Sequence, residues 1–270
     1  MRKVIVFLII FMLFSLPASA KEVRTSINLG AGAFVPSDGD RYPAAVLGWR
    51  LEGFDKDDVF GILIEPTGVF RGEHRSGGCV RLGTYFLLSG RYEERFLAFG
   101  YGLGGIGFEY KNKPFYFTDT SGVETTRIAD WGEVDGISQY FEIRADWDKT
   151  FSISAVYFPS WKEISGGKQK VKFLDPYIQS FLGDTDTTTS IETKFEALML
   201  NARYRKYNRK RKTFWEIQAF YITGRWSGGE VELVDVQSSL SSGVPQYVKI
   251  RVEPVRIECF GAGVNLGIYF

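Results

Sequence analysis

The stretch from Phe260 to Phe270, FGAGVNLGIYF, alternates between two kinds of side chain. Apolar residues fill every second position, and the positions between them hold three glycines, Asn265 and Tyr269. Successive side chains of a strand point to opposite faces of its sheet, so this segment has one apolar face and one small, polar face. Its eleven residues are the length that a tilted strand needs to cross the hydrocarbon core of a bilayer. The stretch therefore predicts a membrane-spanning β-strand.

Nine earlier segments show the same alternation. Their first apolar-face positions, in chain order, are Thr25, Ala45, Phe60, Val80, Leu97, Phe141, Phe151, Leu198 and Trp215. Links after the even-numbered segments are short, whereas the links after the fifth, seventh and ninth are long loops at residues 112–136, 164–192 and about 227–254. An even strand number with short periplasmic turns and long extracellular loops is typical of transmembrane barrels. We therefore predict an all-β, antiparallel, up-and-down transmembrane β-barrel of about ten strands over residues 21–270.

Two local features modify this pattern. After Gly104–Gly105 the apolar positions become Ile106 and Phe108, which predicts a bulge at the glycine pair and turns Glu109 toward the lumen. Within the third long loop, residues 247–253 alternate again, which predicts an extension of the last hairpin beyond the membrane.

Residues 1–20 have the pattern of a secretory signal peptide. Arg2 and Lys3 precede an almost wholly apolar run, and Ala18 to Ala20 form an A-x-A cleavage site. The run is short for the alternative, a helical membrane anchor. The remaining chain is close to neutral, which gives no electrostatic argument for nucleic acid binding. Aromatic residues make up 16% of the chain, as expected for a barrel with aromatic girdles.

The signal, the opening strand from Ile27 to Gly32 (INLGAG), the alternation and the final Phe270 together resemble the Gram-negative outer-membrane β-barrel superfamily that includes the OmpA and OmpW types. The resemblance implies a place in the cell outer membrane, in contact with outer-membrane lipid and lipopolysaccharide. It also implies that Phe270 belongs to the signal read by the barrel-assembly machinery. The implied role is envelope structure, surface interaction through the long loops, or passage of small solutes.

The predicted lumen face carries charges of both signs. The cations are Arg24, Arg50, Arg71, Arg81, Arg144, Arg203 and Arg205, and the anions are Glu52, Glu65, Glu109, Glu142, Asp146 and Glu216. Unpaired buried charge is costly, so we expect these groups to pair across strands. A selective pore would favour one sign, and a ten-strand barrel is little wider than barrels that side chains fill. We therefore favour a charge-plugged lumen and keep a narrow pore as the alternative.

The single histidine, His74, lies two residues before Ser76. On a strand these side chains would share a face, where the imidazole could take the hydroxyl proton. The His-x-Ser pair resembles the site of the outer-membrane phospholipase and of the lipid A deacylase, which implies lipid acyl hydrolysis by His74 and Ser76. Their pattern continues with Asn-Gly, whereas Gly77–Gly78 follow here and favour a loop tip. We expect no enzyme and keep the hydrolase as the alternative.

Other patterns in the sequence say less about function. Ten strands resemble the omptin proteases, but the chain lacks their Asp-x-His, which argues against a protease of that kind. Residues 102–107 fit G-x-G-x-x-G inside a strand with no helix after it, so no dinucleotide cofactor is predicted. Cys79 and Cys259 lie on non-neighbouring strands, and a disulfide between them stays open because it needs Cα atoms within about 7 Å. No metal site is predicted.

Overall fold

Strands make up almost all of the described protein. The computed structural model describes residues 20–36, 42–55, 60–71, 75–90, 95–111, 114–128, 131–148, 150–160, 165–173, 187–244 and 246–270. The strands are β1 (Ala20–Pro36), β2 (Tyr42–Asp55), β3 (Phe60–Arg71), β4 (Arg75–Gly90), β5 (Arg95–Lys111), β6 (Pro114–Thr118), β7 (Glu124–Ile128), β8 (Trp131–Trp147), β9 (Phe151–Phe158), β10 (Ser165–Phe173), β11 (Thr187–Thr193), β12 (Phe195–Asn208), β13 (Thr213–Trp226), β14 (Gly229–Asp235), β15 (Gln246–Val252) and β16 (Val255–Tyr269). A short helix, α1 (Val236–Ser242), joins β14 to β15. Within these ranges no helix has the length and hydropathy to span a membrane.

Ten of these strands form a closed barrel. Hydrogen-bonded neighbours follow the order β1-β2-β3-β4-β5-β8-β9-β12-β13-β16, and β16 pairs with β1 to complete the circle. The closing pair is antiparallel and runs continuously from Arg24 opposite Tyr269 to Pro36 opposite Ile257. A closed wall presents lipid with no open strand edge. The ten-strand barrel predicted from the alternation is confirmed.

The alternation places apolar side chains on the outer wall. Every second residue of β9 from Phe151 to Tyr157 is exposed, and the residues between them are buried. On β1 and β16, the outward side chains of Ile27, Leu29 and Leu266 are 54, 59 and 62% exposed. An apolar band of this kind would promote aggregation in water, whereas a bilayer solvates it. The exposed apolar face is therefore the membrane-facing face.

The three long links contain regular strands. β10 continues along β8, where Ser165 pairs with Ser138 and Lys172 with Trp131, whereas β9 pairs with the rest of β8. β10 and β11 then form a hairpin that extends the wall at the long-loop end. The prediction of polar loops at 112–136 and 164–192 was therefore wrong in part. Strands beyond the bilayer need no apolar outer face, so the alternation that identifies a spanning strand is weak there.

A separate four-stranded sheet in the order β14-β15-β6-β7 stands at the same end. Its strands come from the links after β5 and β13. One face of this sheet packs the side chains of Phe115, Phe117, Val248 and Ile250 against Ile191 of β11. The predicted extension of the last hairpin through residues 247–253 is confirmed, because β15 pairs with β14 along its length.

Side chains in the lumen sort into two zones along the barrel. Charged residues lie toward the short turns, and a larger apolar cluster lies toward the long loops. The apolar cluster includes Val46, Cys79, Ile106, Phe108, Tyr140, Phe158, Phe195, Trp226 and Cys259. A second small cluster at the short-turn end packs against Arg144, whose guanidinium carbon lies 5.4 Å from the ring centre of Tyr85 and 5.6 Å from that of Phe96.

The predicted bulge at Gly104–Gly105 is wrong. β5 keeps continuous register with β4 and with β8 through this point. Ile106 and Phe108 are each 2% exposed and stay on the lumen face. The lumen itself becomes apolar at this height, so the run of apolar residues reflects a change of interior and not a change of parity. Glu109 consequently points away from the lumen, opposite Glu133 of β8.

Candidate functional site

Arg81 on β4 is the centre of an ion-pair network in the lumen. Its Nη1 donates to Glu142 Oε2 at 2.8 Å, and its Nε donates to Glu65 Oε2 at 3.1 Å. The Tyr85 hydroxyl donates to the same Glu142 oxygen at 2.9 Å. Arg81 is 1% exposed and Glu142 is fully buried. These contacts connect β3, β4 and β8.

Glycine on the intervening strand makes this bridge possible. β5 lies between β4 and β8, and its residue opposite Glu142 is Gly100. A Cβ atom at Gly100 would lie 3.0 Å from Glu142 Cβ and 3.0 Å from the Tyr85 ring. The absent side chain therefore leaves room for the carboxylate and the phenol to meet Arg81. This explains why a glycine occupies this inward position of β5.

Two further arginines carry the network across the barrel. Arg203 on β12 donates from Nη2 to Glu65 Oε1 at 3.0 Å, which joins strands on opposite sides of the lumen. Arg144 donates to both oxygens of Asp146, at 2.9 and 2.7 Å, and also to Glu52 on β2. The lumen is thus crossed twice by guanidinium–carboxylate contacts.

The remaining members surround two carboxylates. Glu52 accepts from Arg50 at 3.0 Å and lies 3.8 Å from Arg24. Glu216 pairs with Arg205 and has Arg203 Nε at 3.7 Å and Arg50 Nη1 at 4.0 Å. The members of this network are Arg24, Arg50, Arg81, Arg144, Arg203, Arg205, Glu52, Glu65, Glu142, Asp146 and Glu216, and each is buried. Eleven of the thirteen charged residues predicted for the lumen face, all except Arg71 and Glu109, are therefore placed in this network.

Glu109 is the predicted member that the structure removes from the network. It lies on the outer side of β5, because β5 keeps its parity past Gly104–Gly105. For Arg71, the structure describes the backbone at the end of β3 only.

An amide cluster on the lumen face was missed by reading charges alone. Gln218 accepts from Asn265 at 3.2 Å and from Asn28 at 3.4 Å, and it donates to Asn201 at 3.3 Å. All four side chains occupy inward positions of alternating strands, which is the signal that could have found them. The cluster ties β1, β12, β13 and β16 together beside the charges.

The glycine face of β16 is covered by its neighbours. Glycines at 261, 263 and 267 place no side chain of their own on the inward face of this strand. The structure places the Phe220 ring against Gly261, the Asn28 amide against Gly263 and the Phe214 ring against Gly267. Large side chains on β13 and β1 therefore occupy the space that these glycines leave.

An apolar zone of packed rings lines the lumen toward the long loops. The Phe195 ring packs at a tilt against Trp226 with ring centres 5.1 Å apart, and the ring centre of Phe158 lies 6.0 Å from that of Phe195 and 5.5 Å from that of Tyr140. The Trp226 indole N–H donates to the backbone carbonyl of Asp135 at 2.9 Å. This chain of rings crosses from β13 to β8.

Other predicted site residues lie apart from this network. Cys79 and Cys259 are buried, free thiols in the apolar zone, and Cys79 Sγ lies 3.5 Å from Met199 Sδ. The disulfide left open by the sequence is not formed, because β1, β2 and β3 separate the two strands around the barrel. His74 lies outside the described residues, and of Ser76 only the backbone in β4 is described. Across the described part of the chain, no cluster of His, Cys, Asp and Glu is placed to hold a metal ion.

The outer face of the four-stranded sheet carries a second set of ionic contacts. Arg251 donates to both carboxylate oxygens of Glu124 at 3.0 Å, and its guanidinium carbon lies 4.2 Å from the Tyr116 ring centre. The Tyr116 hydroxyl donates to Glu253 at 2.7 Å, and this hydrogen bond raises the pKa of the phenol. The pKa of Lys249 is raised by its hydrogen bond to Glu232 and, to a smaller extent, by its hydrogen bond to Glu230. These pairs link β14, β15, β6 and β7 on the solvent side.

One solved structure of another protein shares this architecture, and two others are more distantly similar. The outer membrane protease OmpT of Escherichia coli aligns over 93% of this chain and 97% of its own, with a TM-score of 0.54 and 11% identity. The fold is that of an outer-membrane β-barrel. Neisserial surface protein A (NspA) aligns over 90% of this chain and 95% of its own at 8% identity and a TM-score of 0.27. The deltaS2 mutant of the monoaromatic hydrocarbon channel TodX aligns over 93% of this chain and 91% of its own, at 6% identity and a TM-score of 0.32.

These likenesses concern the fold alone and select no subfamily. No protein-family model and no curated protein sequence matches the chain.

Proposed function

We propose that the protein is a closed-lumen outer-membrane barrel whose function lies at the cell surface and not in solute passage. The observation that carries this is the network in which Arg81 and Arg203 both bind Glu65 and thereby span the lumen. A selective pore is lined by a continuous polar path, often with one dominant sign. Here charges of both signs neutralise one another, and an apolar zone lies above them. Both features support a plug.

The sheet beyond the barrel wall supports the surface role. Its far end exposes apolar side chains of Val123, Leu240, Val244 and Tyr247, which are 55, 82, 58 and 52% exposed. They belong to the β6–β7 turn, to α1, to the link that follows α1 and to the start of β15. Exposed apolar groups that cluster on a surface are typical of contact sites. We infer that this tip contacts a partner surface outside the cell.

We propose a non-enzymatic role. The described ion pairs of Arg81 with Glu65 and Glu142 engage these groups with one another, away from solvent. The protease activity in the name of OmpT belongs to that protein, and an identity of 11% supports only a common fold.

Conductance of the purified barrel in planar lipid bilayers tests the closed lumen. We expect no steady openings from the wild-type protein. The double variant Arg81→Ala, Glu142→Ala removes the bridge between β4 and β8 and should increase brief openings, whereas Arg256→Ala, on an exposed ion pair, should not. Steady wild-type openings that charge reversal at Arg81 or Glu142 abolishes would overturn the proposal.

A further inference from the structure

An open groove of about 1010 Å³ lies on the outer wall at the short-turn end of the barrel. Its lining comes from β1, β2, β12, β13 and β16. The outward side chains of Ile27, Leu266 and Ile268 form an apolar floor. Trp49 and Trp215 also line the groove, and the Trp49 indole N–H donates to Thr25 Oγ1 at 2.9 Å. Tryptophan is enriched at the level of lipid headgroups, so the groove spans the boundary between acyl chains and headgroups.

A basic turn lies at one end of this groove. Lys206, Arg209 and Lys210 line it, and all three are exposed. None of the described residues that line the groove is Asp or Glu. The turn is held by a hydrogen bond from the Arg211 N–H to Asn208 Oδ1 at 3.3 Å. The cations are therefore presented by the end of β12 and the ordered turn that follows it, next to an apolar floor.

Among the short turns, an excess of basic residues occurs only in the turn at residues 208–212. Four of the five residues from Asn208 to Lys212 are basic. The other short turns contain acids: Asp-Lys-Asp-Asp at 55–58, Arg-Tyr-Glu-Glu at 91–94, and Asp-Lys at 148–149. A general preference for positive charge at this end would have affected all four turns. The basic excess coincides instead with the turn that borders the groove.

We propose that this groove binds one anionic glycerophospholipid of the periplasmic leaflet. The phosphate group would lie among Lys206, Arg209 and Lys210, and an acyl chain would lie on the apolar floor between the two tryptophans. Basic segments at a membrane surface attract anionic lipids, and basic pockets beside membrane spans bind their headgroups. The short-turn end of such barrels faces the periplasm, so the lipid comes from the leaflet on that side.

Native mass spectrometry of the full mature barrel in detergent tests the proposal with defined probes. Dioleoyl-phosphatidylglycerol, dioleoyl-phosphatidylethanolamine and glycerol 3-phosphate are added separately and in competition. We expect one phosphatidylglycerol bound at least tenfold more tightly than phosphatidylethanolamine. The variant Arg209→Gln, Lys210→Gln should bind phosphatidylglycerol about thirtyfold more weakly, since each basic residue contributes at an anionic lipid surface. Both residues are exposed in a turn, so the barrel should still fold.

Matched variants complete the test. Lys168→Gln with Lys194→Gln removes two exposed cations at the long-loop end and should leave the affinity unchanged. Arg209→Lys with Lys210→Arg keeps both positive charges and should keep the affinity within about threefold, because the attraction to an anionic lipid depends on the number of basic residues. Equal binding by the glutamine variant, equal retention of the two lipids, or displacement of the lipid by glycerol 3-phosphate would each overturn the proposal. Steady conductance in planar bilayers would overturn the closed lumen and leave this site intact.

Discussion

Replacing Arg81 with methionine measures what the buried network contributes to stability. Arg81 is 1% exposed and donates to Glu65 and Glu142. In the variant, Glu65 retains Arg203 at 3.0 Å, whereas the described contact left to Glu142 is the neutral Tyr85 hydroxyl at 2.9 Å. Removing one partner of a buried ion pair costs about 3–5 kcal/mol, because the other charge stays buried without compensation. We expect a loss in this range, mostly from Glu142.

A second substitution should recover part of this loss. Glu142→Gln in the Arg81→Met background removes the uncompensated charge and keeps an acceptor for Tyr85. We expect the double variant to be about 2 kcal/mol more stable than Arg81→Met alone, so the two changes will be far from additive. The control is Arg256→Met. Its partner Glu258 lies at 2.6 Å, but the two side chains are 63 and 31% exposed, and such a pair contributes about 0–1 kcal/mol.

Guanidine denaturation of the refolded protein in phospholipid vesicles, followed by tryptophan fluorescence, gives the free energies of unfolding. The reasoning fails if Arg81→Met costs less than about 1 kcal/mol, as its surface control should. It also fails if the double variant loses the sum of the two single losses. Either result would mean that water, and not protein, compensates the charges in this part of the lumen.

Three further predictions concern the pairing of β1 with β16, the two buried cysteine thiols and the exposed apolar end of the four-stranded sheet. Gly30→Val should greatly reduce the folded fraction, because a Cβ atom there would lie 2.8 Å from the Cα atom opposite on β16. Protease protection measures the folded fraction. The control Ala31→Val changes an outward side chain and should have little effect. Cys79 and Cys259 should resist a soluble maleimide in the folded barrel and react after unfolding, since both are buried and free; rapid labelling of the native protein would show that water reaches the apolar zone. Leu240→Ser should leave the unfolding midpoint unchanged, because this side chain is 82% exposed, and should lower attachment of displaying cells to polystyrene; unchanged attachment would count against the tip as a contact surface.

The membrane-spanning strands could be predicted from the sequence because lipid on one face and a charged lumen on the other impose a two-residue alternation. Lipid outside and charge inside force every second residue of β1, from Thr25 to Ala33, to the outer wall. The same rule failed at Ile106, where the interior becomes apolar and the alternation no longer tells inside from outside. Amphipathic periodicity therefore reports contrast between two faces, and it is silent on which face is which.

The partners within the lumen could not be read from the chain. Arg144 binds Glu52, which lies 92 residues earlier, and this contact depends on the stagger and closure of the whole barrel. The basic run from Arg209 to Lys212 was visible as composition. The groove beside it needs five strands side by side, so only the folded wall shows that the cations border an apolar floor.

The buried charges also favour the correct register between β1 and β16 when the barrel closes. A slip of one residue between β1 and β16 would exchange the two faces of β1. Arg24 and Asn28 would then face lipid, and Ile27 would enter the charged zone. An arginine on the lipid face of a barrel costs up to about 2–4 kcal/mol, and Glu52 would also lose a nearby cation. The charged contacts that cross the lumen thus penalise misaligned closure, so that a single alignment of the first and last strands is stable.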